Sequence, residues 1–257
     1  MDADSSLSLG VVDIQNYSMF RPLQEPIIKF AEELNDPSLN TAFIKLDDHV
    51  QCYKQPYDIF TFSESPPVIY IRSFVSENEI DDLIKARPSP VYKKGESQPN
   101  DEVRKSENAW PERSHVVKCI EKRAQQFQNW QPNMKMEVLG VQRYQQNGFF
   151  KHHHDSFGTA PTLGDRKSTF NVYLESNCTG GGTHFPHLDM PDDRGWCEFV
   201  DCEASESGVV FKAIAGNAVY WENFGDDGIK YPATLHAGLP VLSGRKIGMN
   251  IWTWLIP

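Results

Sequence analysis

A chain of 257 residues, 39% hydrophobic and 23% charged, suits one globular domain with or without an appended segment. Its net charge of −10 excludes a nucleic-acid backbone as the main partner, because phosphate binding needs a basic face. No run approaches the roughly 18 apolar residues of a membrane span, and the first ten residues lack the basic and apolar blocks of a signal peptide. If the chain is complete, that favours the cytoplasm; if an N-terminal anchor has been removed, the lumen of the endoplasmic reticulum fits equally well. The five cysteines form no Cys-x-x-Cys pair, which excludes a zinc ribbon or a thioredoxin-type motif. Cys197 and Cys202 could bridge across a turn or remain thiols, and the odd count leaves one cysteine unpaired.

Residues 1–65 read as an N-terminal extension packed on a catalytic domain that spans 66–257. Within the extension, Pro26 opens a short amphipathic helix carrying Ile27, Ile28, Phe30, Ala31 and Leu34. Val68–Ile71 predicts a strand. Ser76 and Glu79 form a capping box for a helix whose buried stripe is Ile80, Leu83 and Ile84, with Val75 and Ile80 as a staple. Residues 87–108 are polar and bear Pro and Gly, and predict a mobile loop. Pro111 opens a second helix, in which Val116, Val117, Ile120, Ala124 and Phe127 share a face. From Met136 onward the pattern changes to short β runs near 136–145, 150–156, 169–176, 208–214, 217–222, 233–237 and 245–256, separated by Gly, Pro and Asp. Many short strands with turns between them predict a sandwich or barrel, of which the jelly roll is one form.

The chemistry centres on Lys151-His152-His153-His154-Asp155. In extended chain, residues two apart leave the same face, so His153 and Asp155 can close on one cation while His154 points away. His236 would supply a third ligand. Two imidazoles and one carboxylate on one side of a metal, with the other positions open, are the mark of non-haem Fe(II) oxygenases. His152, His154, His184 and His187 are left as non-ligands.

These residues stand in a longer series. Arg143-Tyr144 precedes the His153–Asp155 pair. Arg166, Thr169-Phe170-Asn171-Val172-Tyr173-Leu174, Gly181-Gly182-Thr183-His184-Phe185-Pro186 and Asn217-Ala218-Val219-Tyr220-Trp221 follow it. His236-Ala237-Gly238-Leu239-Pro240-Val241 closes the series, with Gly244 and Lys246 just beyond. The order resembles that of the prolyl 4-hydroxylases, over about residues 66–257 and most densely over 138–254.

The resemblance implies a double-stranded β-helix, a cupin-like jelly roll, mainly β with flanking helices (an α+β chain). It implies Fe(2+) on His153, Asp155 and His236, with 2-oxoglutarate and O2 as co-substrates and ascorbate as reductant. Lys246 would hold the far carboxylate of 2-oxoglutarate, with Tyr144, Tyr173, Thr169 and Trp252 around it. Alternation puts Lys246, Gly248, Asn250 and Trp252 on one face and Arg245 on the other. Charge counting agrees: Fe(II), Asp155, a doubly negative co-substrate and Lys246 sum to zero, so the site can be buried without an uncompensated charge. Arg166 matches a substrate-binding position, and the implied substrate is proline in a peptide or protein.

The segment 187–207, with Trp196, Cys197 and Cys202, is longer than in the simplest family members and could cover the substrate groove. Three other readings stay open: the same oxidation on free proline or a small metabolite, a zinc hydrolase, and a non-catalytic jelly-roll binding module. The hydrolase reading leaves Lys246 without a role.

Overall fold

The structure, a computed structural model, describes residues 43–85, 93–94 and 103–257. The helix expected at Pro26–Leu34 lies outside the described residues. The strands are β1 (Phe43–Ile44), β2 (Asp58–Glu64), β3 (Pro67–Arg72), β4 (Lys93–Lys94), β5 (Arg104–Lys105), β6 (Glu107–Ala109), β7 (Met134–Glu137) and β8 (Gly140–Tyr144). They continue as β9 (Phe149–His153), β10 (Asp165–Gly180), β11 (Thr183–Phe185), β12 (Val209–Phe211), β13 (Ala218–Glu222), β14 (His236–Gly238) and β15 (Val241–Leu255). The helices are α1 (Glu77–Lys85), α2 (His115–Phe127) and the single turn α3 (Ala160–Leu163). No helix among the described residues is long and apolar enough to cross a membrane.

Two sheets face each other. The larger runs β2-β3-β13-β10-β15-β8-β6-β4, with β7 pairing to β15 and β1 to β7; the smaller runs β12-β11-β14-β9-β5. Every pairing is antiparallel. This is the expected jelly roll, mostly β with helices on one outer face.

Alternation along the strands explains both cores. On β10, Phe170, Val172 and Leu174 turn outward, and on β15 Ile247, Met249 and Ile251 do the same. They bury against Leu83 of α1 and Val117, Ile120 and Ala124 of α2. The opposite faces, with Tyr173, Val219 and Trp221, meet Phe185, Val209 and Phe211 of the small sheet and form the second core between the sheets.

Ser76 and Glu79 make the capping box, through Ser76 N–H to Glu79 Oε2 at 2.8 Å and Glu79 N–H to Ser76 Oγ at 3.3 Å. The second helix begins later than Pro111 suggests. Ser114, in extended backbone, caps it by accepting from Val117 N–H, so the chain from Pro111 to Ser114 is a lead-in.

Four other local expectations change. The run 136–145 is two strands, β7 and β8, both laid along β15. The loop expected over 87–108 contains β4, β5 and β6, short polar strands held by pairing to one another and to β8 and β9. Residues 43–64 contribute β1 and β2, so strands of the large sheet begin before Pro66. All the described residues belong to one compact unit, Ala42–Pro257.

Segment 187–207 is fastened down rather than overhanging the sheets. Trp196 packs edge-on against Phe60 and Phe62 of β2, Cys197 and Cys202 are bridged, and Lys212 Nζ donates to the Cys197 carbonyl. A second disulfide, Cys52–Cys119, joins the approach to β2 to helix α2, and Cys178 is free.

Candidate metal centre

His153 ends β9 and His236 begins β14, and the two are directly paired across the small sheet. Asp155 follows two residues past His153. One ligand atom from each of the three lies within 4.8 Å of the others. Asp155 Oδ1 is 3.6 Å from His153 Nε2, and Asp155 Oδ2 is 3.7 Å from His236 Nε2.

Hydrogen bonds fix which ring nitrogens face inward. His153 Nδ1 donates to the Lys151 carbonyl at 2.8 Å and His236 Nδ1 to the Thr234 carbonyl at 2.9 Å. Each ring therefore presents its Nε2 lone pair to the centre, which is how metal-binding imidazoles are held. Burial, together with the neighbouring His153, pushes His236 down to about 4, so it is a neutral donor at ordinary pH. Burial alone would raise the Asp155 carboxyl, but its pairing with the His236 and His153 imidazoles outweighs that and keeps it well below the usual carboxylate range. A carboxylate and two imidazoles that turn Nε2 toward one point fit Fe(II).

The ligands are braced from outside. Thr169 Oγ1 donates to Asp155 Oδ2 at 2.7 Å, Asn223 Nδ2 donates to Thr169 Oγ1 at 3.1 Å, and Trp221 Nε1 donates to Asn223 Oδ1 at 2.8 Å. The imidazole of His153 stacks on Phe150 at 3.7 Å between centroids. His153 and Phe150 are three apart and would face opposite ways on a regular strand. A bulge opposite Ala237 turns both to the same side.

A cavity opens beside the ligands, lined by Tyr144, Phe150, His153, Asn171, Thr183, Trp221, His236 and Lys246, with Gln142, Gly238, Gly248 and Asn250. Lys246 is 4% exposed and donates to the Gly181 carbonyl at 2.6 Å. Gly181 has φ +71°, a left-handed conformation that glycine takes at no steric cost, and a Cβ there would lie 3.2 Å from Val241 Cγ2. Burial pushes the Lys246 amine down to about 8, only partly opposed by Cys178. Arg245 faces the other way and pairs with Glu175 through two 2.7 Å bonds. Lys246, Gly248 and Asn250 thus share the cavity face, as alternation requires.

The remaining expected residues fall in different places. Tyr144 lines the cavity beside Lys246, whose Nζ lies 5.0 Å from its ring centroid. Tyr173 is fully buried behind the wall. Its hydroxyl donates to Thr183 Oγ1 at 2.8 Å, as does Asn171 Nδ2, leaving Thr183 its own proton for a group in the cavity. Thr169 touches the metal carboxylate rather than the cavity. Trp252 lies outside the cavity lining, under the Arg166 guanidinium at 3.8 Å. Arg166 is held by Glu137 through bonds of 2.6 and 3.0 Å, with Phe157 5.1 Å away. None of residues 187–207 lines the cavity. Phe150, Asn171, Thr183 and Asn223 were not singled out from sequence. Asn171 could have been found by its alternation with Thr169 and Tyr173, whereas the others depend on contacts between strands.

The description "2OG-Fe(II) oxygenase superfamily" matches residues 139–254. The chain is 33% identical to prolyl 4-hydroxylase 1 of Arabidopsis thaliana over 207 residues, covering 74% of this chain and 69% of that protein. It is similar to the viral collagen prolyl hydroxylase of Paramecium Bursaria Chlorella virus-1, solved as a 2-oxoglutarate complex. The TM-score is 0.56 and the identity 28%, over 74% of this chain and 96% of the other. A prolyl hydroxylase of Trichoplax adhaerens, solved with a hypoxia inducible factor peptide, shares the fold at a TM-score of 0.52 and 14% identity, over 75% of this chain and 85% of the other. The chain belongs to the prolyl 4-hydroxylase family of Fe(II)- and 2-oxoglutarate-dependent dioxygenases.

Proposed function

We propose that this protein hydroxylates proline within peptides or proteins while 2-oxoglutarate is decarboxylated to succinate. The observation that carries the proposal is the cavity itself, which is lined by His153 and His236 of the three converged ligands and by the buried Lys246. Fe(II) on His153, Asp155 and His236 would supply dioxygen activation and hydrogen abstraction. The chain's own residues bind and orient. Lys246 and the hydroxyl groups of Tyr144 and Thr183, which all belong to residues lining the cavity, would receive the co-substrate's far carboxylate. Arg166, with Trp252 and Phe157 beside it and the buried Trp254 behind, forms an aromatic wall with one guanidinium, suited to an extended proline-bearing peptide. The substrate assignment is also supported by the names of the relatives and the viral neighbour. Ascorbate is proposed as the reductant on the resemblance alone.

The two disulfides favour an oxidising compartment such as the lumen of the endoplasmic reticulum over the cytoplasm. The test of function is succinate formation by protein, Fe(II) and 2-oxoglutarate, with and without proline peptides and with free proline, read beside the peptide's gain of one oxygen atom. Succinate stimulated equally by free proline and by peptides would replace the peptide reading with the small-metabolite one.

A further inference from the structure

Asp165, the first residue of β10, is fully buried and accepts five hydrogen bonds. Its Oδ1 receives Phe157 N–H at 3.0 Å and Arg166 N–H at 2.7 Å. Its Oδ2 receives Ser156 Oγ at 2.8 Å, Gly158 N–H at 2.8 Å and Thr159 N–H at 3.1 Å. Four main-chain donors and a hydroxyl around one carboxylate make an anion nest built from the loop that leaves the metal ligand Asp155.

What this loop presents is Phe157. Its ring lies 5.9 Å from that of Trp254 and 5.1 Å from the Arg166 guanidinium. Strand β10 therefore reaches the region after Asp155 twice. Thr169 holds the carboxylate, and Asp165 holds the next four residues while Arg166 stands beside it.

We propose that Asp165 is the positioning residue for the peptide-side wall: it fixes loop 156–159 so that the exposed Phe157 and the Arg166 guanidinium, stacked on Trp252 and backed by the buried Trp254, form one surface. The proposal rests on the reading of that wall as the peptide face. Capping of the short α3 turn would account for Thr159 N–H alone. It would not account for the donors of Ser156, Phe157 and Gly158, which precede the turn.

The test compares the full chain with Asp165→Asn, which keeps the size but turns an NH2 group toward N–H donors, and with the milder Ser156→Ala and Phe157→Ala. Three quantities are read: the KM for a proline peptide, the KM for 2-oxoglutarate, and the order of residue 157 from a 4-fluorophenylalanine label without substrate. Asp165→Asn is expected to raise the peptide KM about tenfold, leave the 2-oxoglutarate KM within about twofold, and broaden or split the fluorine signal. Phe157→Ala should reproduce the KM change, and the double variant should add little to it. A peptide KM within twofold of wild type, or equal losses in both constants, would overturn the proposal. If Asp165→Asn does not fold, Ser156→Ala decides by the same readings, with a smaller rise expected. If no peptide stimulates the wild type, the functional reading fails, and an unaltered fluorine signal in Asp165→Asn and Ser156→Ala would still refute the positioning role.

Discussion

Thr169 Oγ1 and Asp155 Oδ2 are joined by a 2.7 Å hydrogen bond, so the strand that runs through the middle of the large sheet holds the metal carboxylate offered from the small one. Thr169→Val keeps the shape and removes the donor. Loss of such a partner generally costs about 10- to 100-fold in metal affinity. Fe(II) binding by Thr169→Val should weaken by that order while the KM for 2-oxoglutarate at saturating iron changes little. Unchanged iron affinity would mean that the chain after His153 orients Asp155 unaided.

His153→Ala, Asp155→Ala and His236→Ala should each abolish succinate formation without unfolding the protein, because the open site needs all three donors. Asp155→Glu should fail as well. Its longer arm would carry the carboxylate out of the space between Thr169 and the two imidazoles. Circular dichroism checks the fold, and near-wild-type turnover in any variant would remove that residue from the ligand set.

Lys246→Ala should raise the KM for 2-oxoglutarate by roughly ten- to a hundredfold, the equivalent of a charge-assisted hydrogen bond of about 1.5–3 kcal/mol. Iron affinity should hardly move. Arg245→Ala is the control, since its guanidinium faces Glu175 on the opposite side of the strand. The reverse ranking would refute the assignment of Lys246.

A pH dependence follows from the burial that pushes Lys246 down to about 8. Only the ammonium form can pair with a carboxylate. Below about pH 8 the free enzyme carries it already; above, each binding event must take up a proton. The KM for 2-oxoglutarate should therefore stay flat up to about pH 8 and then rise, approaching tenfold per unit. A flat profile to pH 10 would show that the amine stays charged when buried.

The metal site was legible because its signal is local: one strand end supplies His153 and Asp155, and alternation along β15 separates Lys246 from Arg245. Alternation gives a face, however, and not a depth. Tyr173 points inward as predicted, yet Thr183 stands between its hydroxyl and the cavity. The polar start of β10 and the three-residue β11 were missed because their extended shape comes from pairing with neighbours, whereas β2 was missed although Ile59, Phe60, Thr61 and Phe62 are strand formers. Asp165 was not singled out, since nothing near it in sequence shows that five donors converge on it. The Cys52–Cys119 bridge was equally hidden, because pairing over a long separation is a property of the fold.

That bridge and the shorter one should differ in what they contribute. Cys52–Cys119 spans 67 residues and ties the strand-free approach to β2 onto helix α2, whereas Cys197–Cys202 spans 5 and clasps a single turn. In the chain-entropy account, closing the longer loop removes more freedom from the unfolded state, by about 4 kcal/mol against about 2 kcal/mol for the shorter. Cys52→Ser with Cys119→Ser should therefore lower the melting temperature by about twice as much as Cys197→Ser with Cys202→Ser. Neither pair lines the cavity, so iron affinity and the KM for 2-oxoglutarate should persist in both variants below their melting points. Thermal unfolding under oxidising conditions makes the comparison. A larger loss from the short loop would mean that Trp196 and its packing on Phe60 and Phe62 depend on the clasp, and that native contacts outweigh chain entropy at this position.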